Sequence, residues 1–413
     1  MANDMIEDVL DSNVSELHSP DESQTFGTSQ LEMHARGLSD QLVVVLDAPD
    51  LSKTYIRNFE ESVRIIEKAY AIAVDWARKD KLHSPVADWL LDNYYIISEQ
   101  IRDIRDHMPR SFFRELPKLE SGRARIHVLA EELLLHCDCA LDEQLILQFA
   151  DNFQLDAELT IGETWAFAVM LRLVLVERLR YLCEQLAREY RSIEEIEPIV
   201  ERLKERGILT FADLSKTEQA SALIAISVAI KELSTEKVSA RAIFDDHLEA
   251  IGWSLTELQK REQHRLAASQ VSVSNIITSM RLLGALDWTR VFEAINVTEK
   301  QLRKDPAKVY SEMDFASRNR YRNVIEKLAK GSNLSESDIV RMVLECARME
   351  VTIKVDDPIL AVRTHIGFWL VDDGLKTIEE KIEYKPKLKA RFVRWMRRNP
   401  ERFYFGLTFG MTF

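Results

Sequence analysis

The densest run of metal-ligand residue types in the chain is His136-Cys137-Asp138-Cys139, where an imidazole, a carboxylate and two thiols could hold a zinc ion. The spacing works against this. On a helix, residues two apart point about 200° away from each other, so Cys137 and Cys139 would not face one ion. No second Cys/His pair follows to complete a four-ligand site, and the run reads as helix-end residues. Asp356-Asp357 and Asp372-Asp373 are paired carboxylates that could hold a cation. Asp356-Asp357-Pro358 reads better as a helix start with Pro at the first position. Asp372-Asp373-Gly374 reads better as a helix end closed by a left-handed Gly. His365 precedes the apolar stretch Ile366–Val371 and reads as a satisfied core histidine rather than a proton shuttle. Arg172, Glu177, Arg178 and Arg180 decorate an apolar segment and read as a buried, structural ion-pair set.

No GxxxxGK[ST] loop, GxGxxG turn, HExxH or paired CxxC occurs, so the nucleotide and metal sites those patterns build are not expected. The expectation is no catalytic residue, no cofactor-binding residue, no metal ligand and no cofactor in this chain.

The elements that would position such side chains are helices. Phe59, Val63, Ile66, Tyr70, Ala73 and Val74 form one stripe over 59–79, and Pro85 opens a helix over 86–107. The longest segment runs from Thr160 to about Arg191. Thr160 or Gly162 caps it, and Trp165, Val169, Leu173, Val176 and Cys183 trace its buried face. Pro198, Gly207 and the stretch 209–217 then interrupt. Further helices are expected over 218–232, 236–250, 254–268, 271–283, 288–303, 315–330, 335–349 and 357–371. Ser335 with Asp338 resembles a capping box. No fixed period repeats. The expected fold is all-α: an irregular multi-helix array in two lobes, 31–205 and 206–384, after a disordered acidic tail over 1–30.

Composition agrees. The 413 residues hold 12 Gly and 10 Pro, too few for a turn-rich all-β fold. Lys and Arg total 55 against 68 Asp and Glu, a net charge of −13, which disfavours non-specific binding to nucleic acid. Four cysteines are no disulfide framework and fit a reducing compartment. The first basic residue is Arg36, so the acidic start lacks the basic-then-apolar layout of a secretory signal. The other end is basic: Lys385, Lys387, Lys389, Arg391, Arg394, Arg397, Arg398 and Arg402 accompany the single acid Glu401, and Phe403–Phe413 carries no charge. Two readings stay open from pattern alone. One is a cytoplasmic basic cluster before a membrane span. The other is an amphipathic helix and strand-like tail packed on its own domain.

Five collinear blocks resemble the N-terminal cytoplasmic region of bacterial cyclic β-1,2-glucan synthases. They are Leu31–Arg36; Trp89–Tyr94 with Gln100–Ile104, Pro109 and Phe113–Lys118; Leu159–Ala166 with Leu171–Leu173 and Glu177; Ser274, Asn275, Ile277–Ser279, Arg281–Leu283, Leu286–Trp288, Asp305, Pro306, Tyr310, Met313–Arg318 and Arg320–Arg322; and His365–Leu370 with Asp372, Gly374 and Leu375. The loop after Lys118, the Cys137–Cys139 pair and Asn319 depart from the family pattern.

The resemblance covers about residues 31–413. It implies a much longer membrane enzyme that polymerises glucose from UDP-glucose, with a divalent metal, in domains beyond this chain. It also makes residues 385–413 a juxtamembrane segment and the start of a first span, and hence the chain a fragment, a split gene or a truncated reading frame. In that setting the chain is a scaffold or regulator at the cytoplasmic face of the inner membrane. Its partners are then the membrane-embedded transferase part and anionic lipid, with no nucleic acid. Arg318, Arg320, Tyr321 and Arg322 are the candidates for interdomain contact, since Arg and Tyr are favoured at interface hot spots. Lys385, Lys387, Lys389, Arg391, Arg394, Arg397 and Arg398 are the candidates for lipid contact. The alternatives are a free-standing soluble helical adaptor that binds a protein partner, and a stand-alone transferase that binds UDP-glucose.

Overall fold

The structure is a computed structural model that describes residues 25–79, 84–215, 219–231, 238–352 and 362–386. The acidic residues 1–24, the paired Asp356-Asp357 and the basic segment from Lys387 onward lie outside the described residues. Among the described residues the regular structure is seventeen α-helices and one short 3₁₀ turn, with no strand beyond isolated bridges at Val45–Lys118 and Lys118–Ala124. The protein is all-α, as its periodicity predicts. No described helix is long and apolar enough to cross a membrane.

The helices fall into two compact units. Among the described residues, the first comprises those within 25–156 and 166–287, the second those within 157–165 and 288–386. In chain order the helices are α1 (Thr28–Gln41), α2 (Ser52–Lys79), α3 (Pro85–His107), α4 (Arg110–Glu115), α5 (Arg125–His136), α6 (Glu143–Phe153), α7 (Ile161–Arg206), α8 (Phe211–Leu214), α9 (Ala220–Lys231), α10 (Val238–Ala250) and α11 (Leu255–Ala285). They continue with α12 (Trp288–Ile295), α13 (Val297–Leu302), α14 (Phe315–Lys330), α15 (Glu336–Thr352), α16 (Ile366–Val371) and α17 (Leu375–Lys381).

In the first unit α3 packs on α2 and α11, and α1 packs on α5 and α6. The stripe read from α2 is its buried face: Phe59, Val63, Ile66 and Ala73 are covered, and half-buried Tyr70 stacks on Tyr94 of α3 at 4.0 Å. The middle of α7 is buried almost all round, from Ala166 to Val176, which fits its run of apolar residues. Arg172 sits in that stretch. Its guanidinium donates to Gln100 Oε1 (2.9 Å) on α3, to Leu283 O (2.6 Å) on α11 and to Ala168 O (3.2 Å). One charged group thus ties three helices through neutral acceptors. Of the other three, Arg180 pairs with Glu184 (2.7 Å) and Glu177 faces His127 (3.4 Å).

Several expected boundaries are corrected. Pro198 does not break α7, which continues to Arg206. Proline in a helix interior costs about 3 kcal/mol, and burial of Ile193, Ile196 and Leu203 on either side offsets it. Gly207 does end the helix, with φ +68 and its N–H on Leu203 O. The two helices expected over 254–283 are one, α11, because nothing between Ala268 and Val271 breaks the pattern. Conversely 288–303 is two helices. Asn296 interrupts it and caps α13, its Oδ1 accepting from the N–H of Glu299 at 2.8 Å. Trp165 is 37% exposed rather than buried, with its ring stacked on Phe292 at 4.1 Å.

The second unit closes a core of Phe292, Leu302, Tyr310, Ile325, Val343 and Trp369 between α13, α14, α15 and α16. Ser335 and Asp338 form the expected reciprocal cap of α15: Ser335 Oγ accepts from the Asp338 N–H (3.1 Å), and Asp338 Oδ2 accepts from the Ser335 N–H (3.3 Å). The expectation for Gly374 is corrected. Its φ is −63, not left-handed, and it leads into α17. Glycine is needed there for space, since an added Cβ would lie 2.7 Å from Phe368 Cδ1 and 2.9 Å from its carbonyl oxygen.

Candidate functional site

The chemistry-bearing side chains of the second unit converge on two linked buried networks. The first centres on Glu299, which has no exposed surface. Asn296 starts α13 so that Glu299 falls at its third position, pointing into the core. Its Oε2 accepts from Arg322 Nη1 (2.6 Å) and from the Tyr310 hydroxyl (2.6 Å), and its Oε1 accepts from Arg303 Nε (2.9 Å). Glu293 of α12 accepts from Arg318 Nη2 (2.7 Å) and Arg303 Nη2 (2.8 Å). Three guanidinium groups therefore share two carboxylates. Arg322 is fully buried, and its guanidinium carbon lies 5.0 Å from the Phe292 ring and 4.8 Å from the Phe315 ring. Those π faces take up charge that a low-dielectric interior would otherwise penalise. Burial, then the hydrogen bond to Glu299, push the Tyr310 phenol far above its ordinary value, so it stays a donor.

The second network centres on Asp305. Its Oδ2 accepts from the N–H groups of Val309 (3.1 Å) and Tyr310 (3.2 Å) and from His365 Nδ1 (2.8 Å), and its Oδ1 accepts from the N–H of Ile366 (3.2 Å). Burial raises this carboxyl, but the hydrogen bonds from His365 and the backbone outweigh it and hold the group below the ordinary carboxylate range. The carboxylate can only accept, so His365 carries its proton on Nδ1. Its Nε2 lies within hydrogen-bond distance of the Tyr321 hydroxyl, at 3.2 Å. Gly367 makes this approach possible, because a Cβ there would lie 2.4 Å from Tyr321 Oη and 2.6 Å from His365 Nε2. Tyr321 is 8% exposed. The reading of His365 as a satisfied core histidine matches this geometry.

Of the four residues proposed from sequence for interdomain contact, Arg318, Tyr321 and Arg322 direct their polar groups into their own unit. Arg320 alone stays exposed. Lys385 is the one described member of the proposed lipid-contact set. It is exposed and lines a surface cleft with Lys327, Lys330, Glu326 and Tyr384. Tyr384 lies across Gly331, where a Cβ would come within 2.2 Å of its ring.

The sequence reading missed two groupings. Glu336 Oε2 accepts from the N–H of Ile161 at 2.8 Å. Burial pushes this carboxyl up to about 7, and the like charges of Glu326 and Glu163 add to the shift. In the first unit His34, Glu132 and His136 bring three possible metal-ligand atoms within 4.8 Å of one another. The available signal was the Glu132–His136 spacing of four on one helix. The His136–Cys139 run lies at a helix end, since α5 ends at His136 and Asp138 and Cys139 take positive φ beyond it.

No protein-family model matches the chain. It is 30% identical over 327 residues to the cyclic β-(1,2)-glucan synthase NdvB of Rhizobium meliloti (strain 1021), a match that covers 76% of this chain and 11% of that protein. The chain thus spans about a tenth of the length of the relative it matches. Similarity on this scale, over 76% of this chain, relates it to the cyclic β-1,2-glucan synthase family.

Proposed function

We propose that this chain is a non-catalytic scaffold or regulatory region of a cyclic β-1,2-glucan synthase, held at the cytoplasmic face of the inner membrane beside the transferase part of the same synthase. The observation that carries the reading is the 30% identity over 327 residues to a protein whose remaining length is about eight times as great. In this reading the remainder of the synthase takes UDP-glucose and its metal, and polymerises the sugar. The buried networks around Glu299 and Asp305 support a scaffolding role, because both carboxylates are held by side chains and backbone groups of their own unit. Arg320, exposed on the same helix, is the member of its tetrad available to a neighbouring domain. Lys327, Lys330 and Lys385 around one cleft favour an anionic surface, and the sequence carries further basic residues over 387–398.

The test uses membranes containing a synthase from which the corresponding region has been deleted, assayed with radiolabelled UDP-glucose. Supplying this chain in trans should restore or raise the yield of cyclic glucan, while the chain alone transfers no glucose. Glucosyl transfer by the chain alone, or no effect on the deleted synthase beyond that of an unrelated helical protein, would overturn the reading.

A further inference from the structure

We infer that His34, Glu132 and His136 form a binding site for one divalent transition-metal ion of the zinc class. Glu132 and His136 are four residues apart on α5 and so lie on one face, and His34 reaches them from α1. Glu132 Oε2 is 2.9 Å from His34 Nε2 and 3.5 Å from His136 Nε2. Ligand atoms on a tetrahedral zinc ion, at bonds of about 2.0–2.1 Å, are separated by about 3.3 Å. The two distances bracket that value, so an ion could enter with small side-chain adjustments.

The surroundings fit a cation. His136 is the last residue of α5, at the negative end of the helix dipole, which favours positive charge. Phe26 screens one side: its ring stacks on His136 at 4.0 Å and meets His34 edge-on at 5.4 Å, and its N–H donates to the His136 carbonyl. The three ligand side chains keep 15–27% of their surface, which leaves a route for the ion and a side open to a fourth ligand. Two imidazoles and one carboxylate suit zinc, cobalt or nickel better than magnesium or calcium, which prefer all-oxygen shells. Bound metal would join α1 to α5 within the first unit. The site stands apart from the glucan-synthase reading and does not depend on it.

The experiment titrates the full 413-residue chain with Co²⁺ under reducing conditions and follows the visible spectrum, then displaces the cobalt with Zn²⁺. Four-coordinate nitrogen and oxygen ligation should give an intense visible band that saturates at one equivalent. Zinc should raise the melting temperature, because a ligand that binds only the folded state stabilises it. His34→Ala and His136→Ala should each weaken binding at least about a hundredfold, as loss of even an outer-shell partner can do. Glu132→Gln keeps the shape of the side chain, and it should lose the band while retaining the parent's far-UV circular dichroism. Cys137→Ser/Cys139→Ser should bind as the parent does. Three results would each overturn the proposal: no saturable band, binding unchanged in the histidine variants, or binding lost with the two cysteines.

Discussion

Arg322 Nη1 lies 2.6 Å from Glu299 Oε2, and neither side chain has any exposed surface. The pair is completed by Tyr310, Arg303 and Arg318 on the polar side and by Phe292 and Phe315 on the apolar side. A buried ion pair adds little net stability compared with a well-packed apolar pair. Breaking it, however, strands a charge. Arg322→Ala should therefore cost about 3–5 kcal/mol, measured as a shift in urea midpoint. Arg320→Ala, two residues earlier and exposed, should leave the midpoint unchanged. Equal effects at the two positions would mean that Arg322 is not buried as described.

Gly367 is a steric prediction. Its missing Cβ makes room for Tyr321 Oη and His365 Nε2. Gly367→Ala should destabilise by about 1–3 kcal/mol, the usual cost of overpacking. Adding Tyr321→Phe removes the nearer atom, so the double variant should cost less than the sum of the two singles. Strict additivity would rule out this contact as the cause.

Glu336 gives a pH dependence with a definite sign. Its carboxyl is raised from 4.5 to about 7 on folding. Between those values the folded state binds more protons than the unfolded one, so this group makes stability fall as pH rises, and the loss is complete above about 7. Glu336→Gln can still accept from the Ile161 N–H and carries no charge. It should stabilise the protein at about pH 8 by on the order of 2–3 kcal/mol and have no effect near pH 4.5. Urea titrations at the two pH values check this. A variant less stable than the parent at the higher pH would contradict it.

Asp305 has the opposite sign. Its depressed carboxyl contributes stability above the ordinary carboxylate range, and that stability is lost as pH falls through its folded value. Asp305→Asn should weaken the protein at neutral pH and flatten the acid limb of its stability profile. An unchanged acid limb would show that His365 and the backbone donors do not hold the charge.

Lys327 and Lys385 make the lipid proposal measurable. Each charge near an anionic surface is worth about 1 kcal/mol, so Lys327→Gln/Lys385→Gln should weaken sedimentation with anionic vesicles about thirtyfold. Binding should also fall with added salt. Equal binding to neutral and anionic vesicles would remove lipid contact from the proposed function.

By itself the sequence determined that the fold is helical and where most of the helices lie. Apolar residues at steps of one, three and four define α2 because a helix brings those positions onto one face wherever it sits. Pro85 and the Ser335–Asp338 cap could be read for the same reason, since each acts within one turn. Tertiary structure decided what lies between distant residues. Packing on both sides carried α7 through Pro198, and contact with Phe368 rather than backbone handedness requires glycine at Gly374. The arginines that looked like a surface for another domain are drawn inward by Glu293 and Glu299, acids 19 to 29 residues earlier in the chain. His34 meets His136 across about a hundred residues only because α1 packs on α5. Local spacing records which face of a helix is apolar. It carries no record of which face it meets, and the sites of this protein are made at those meetings.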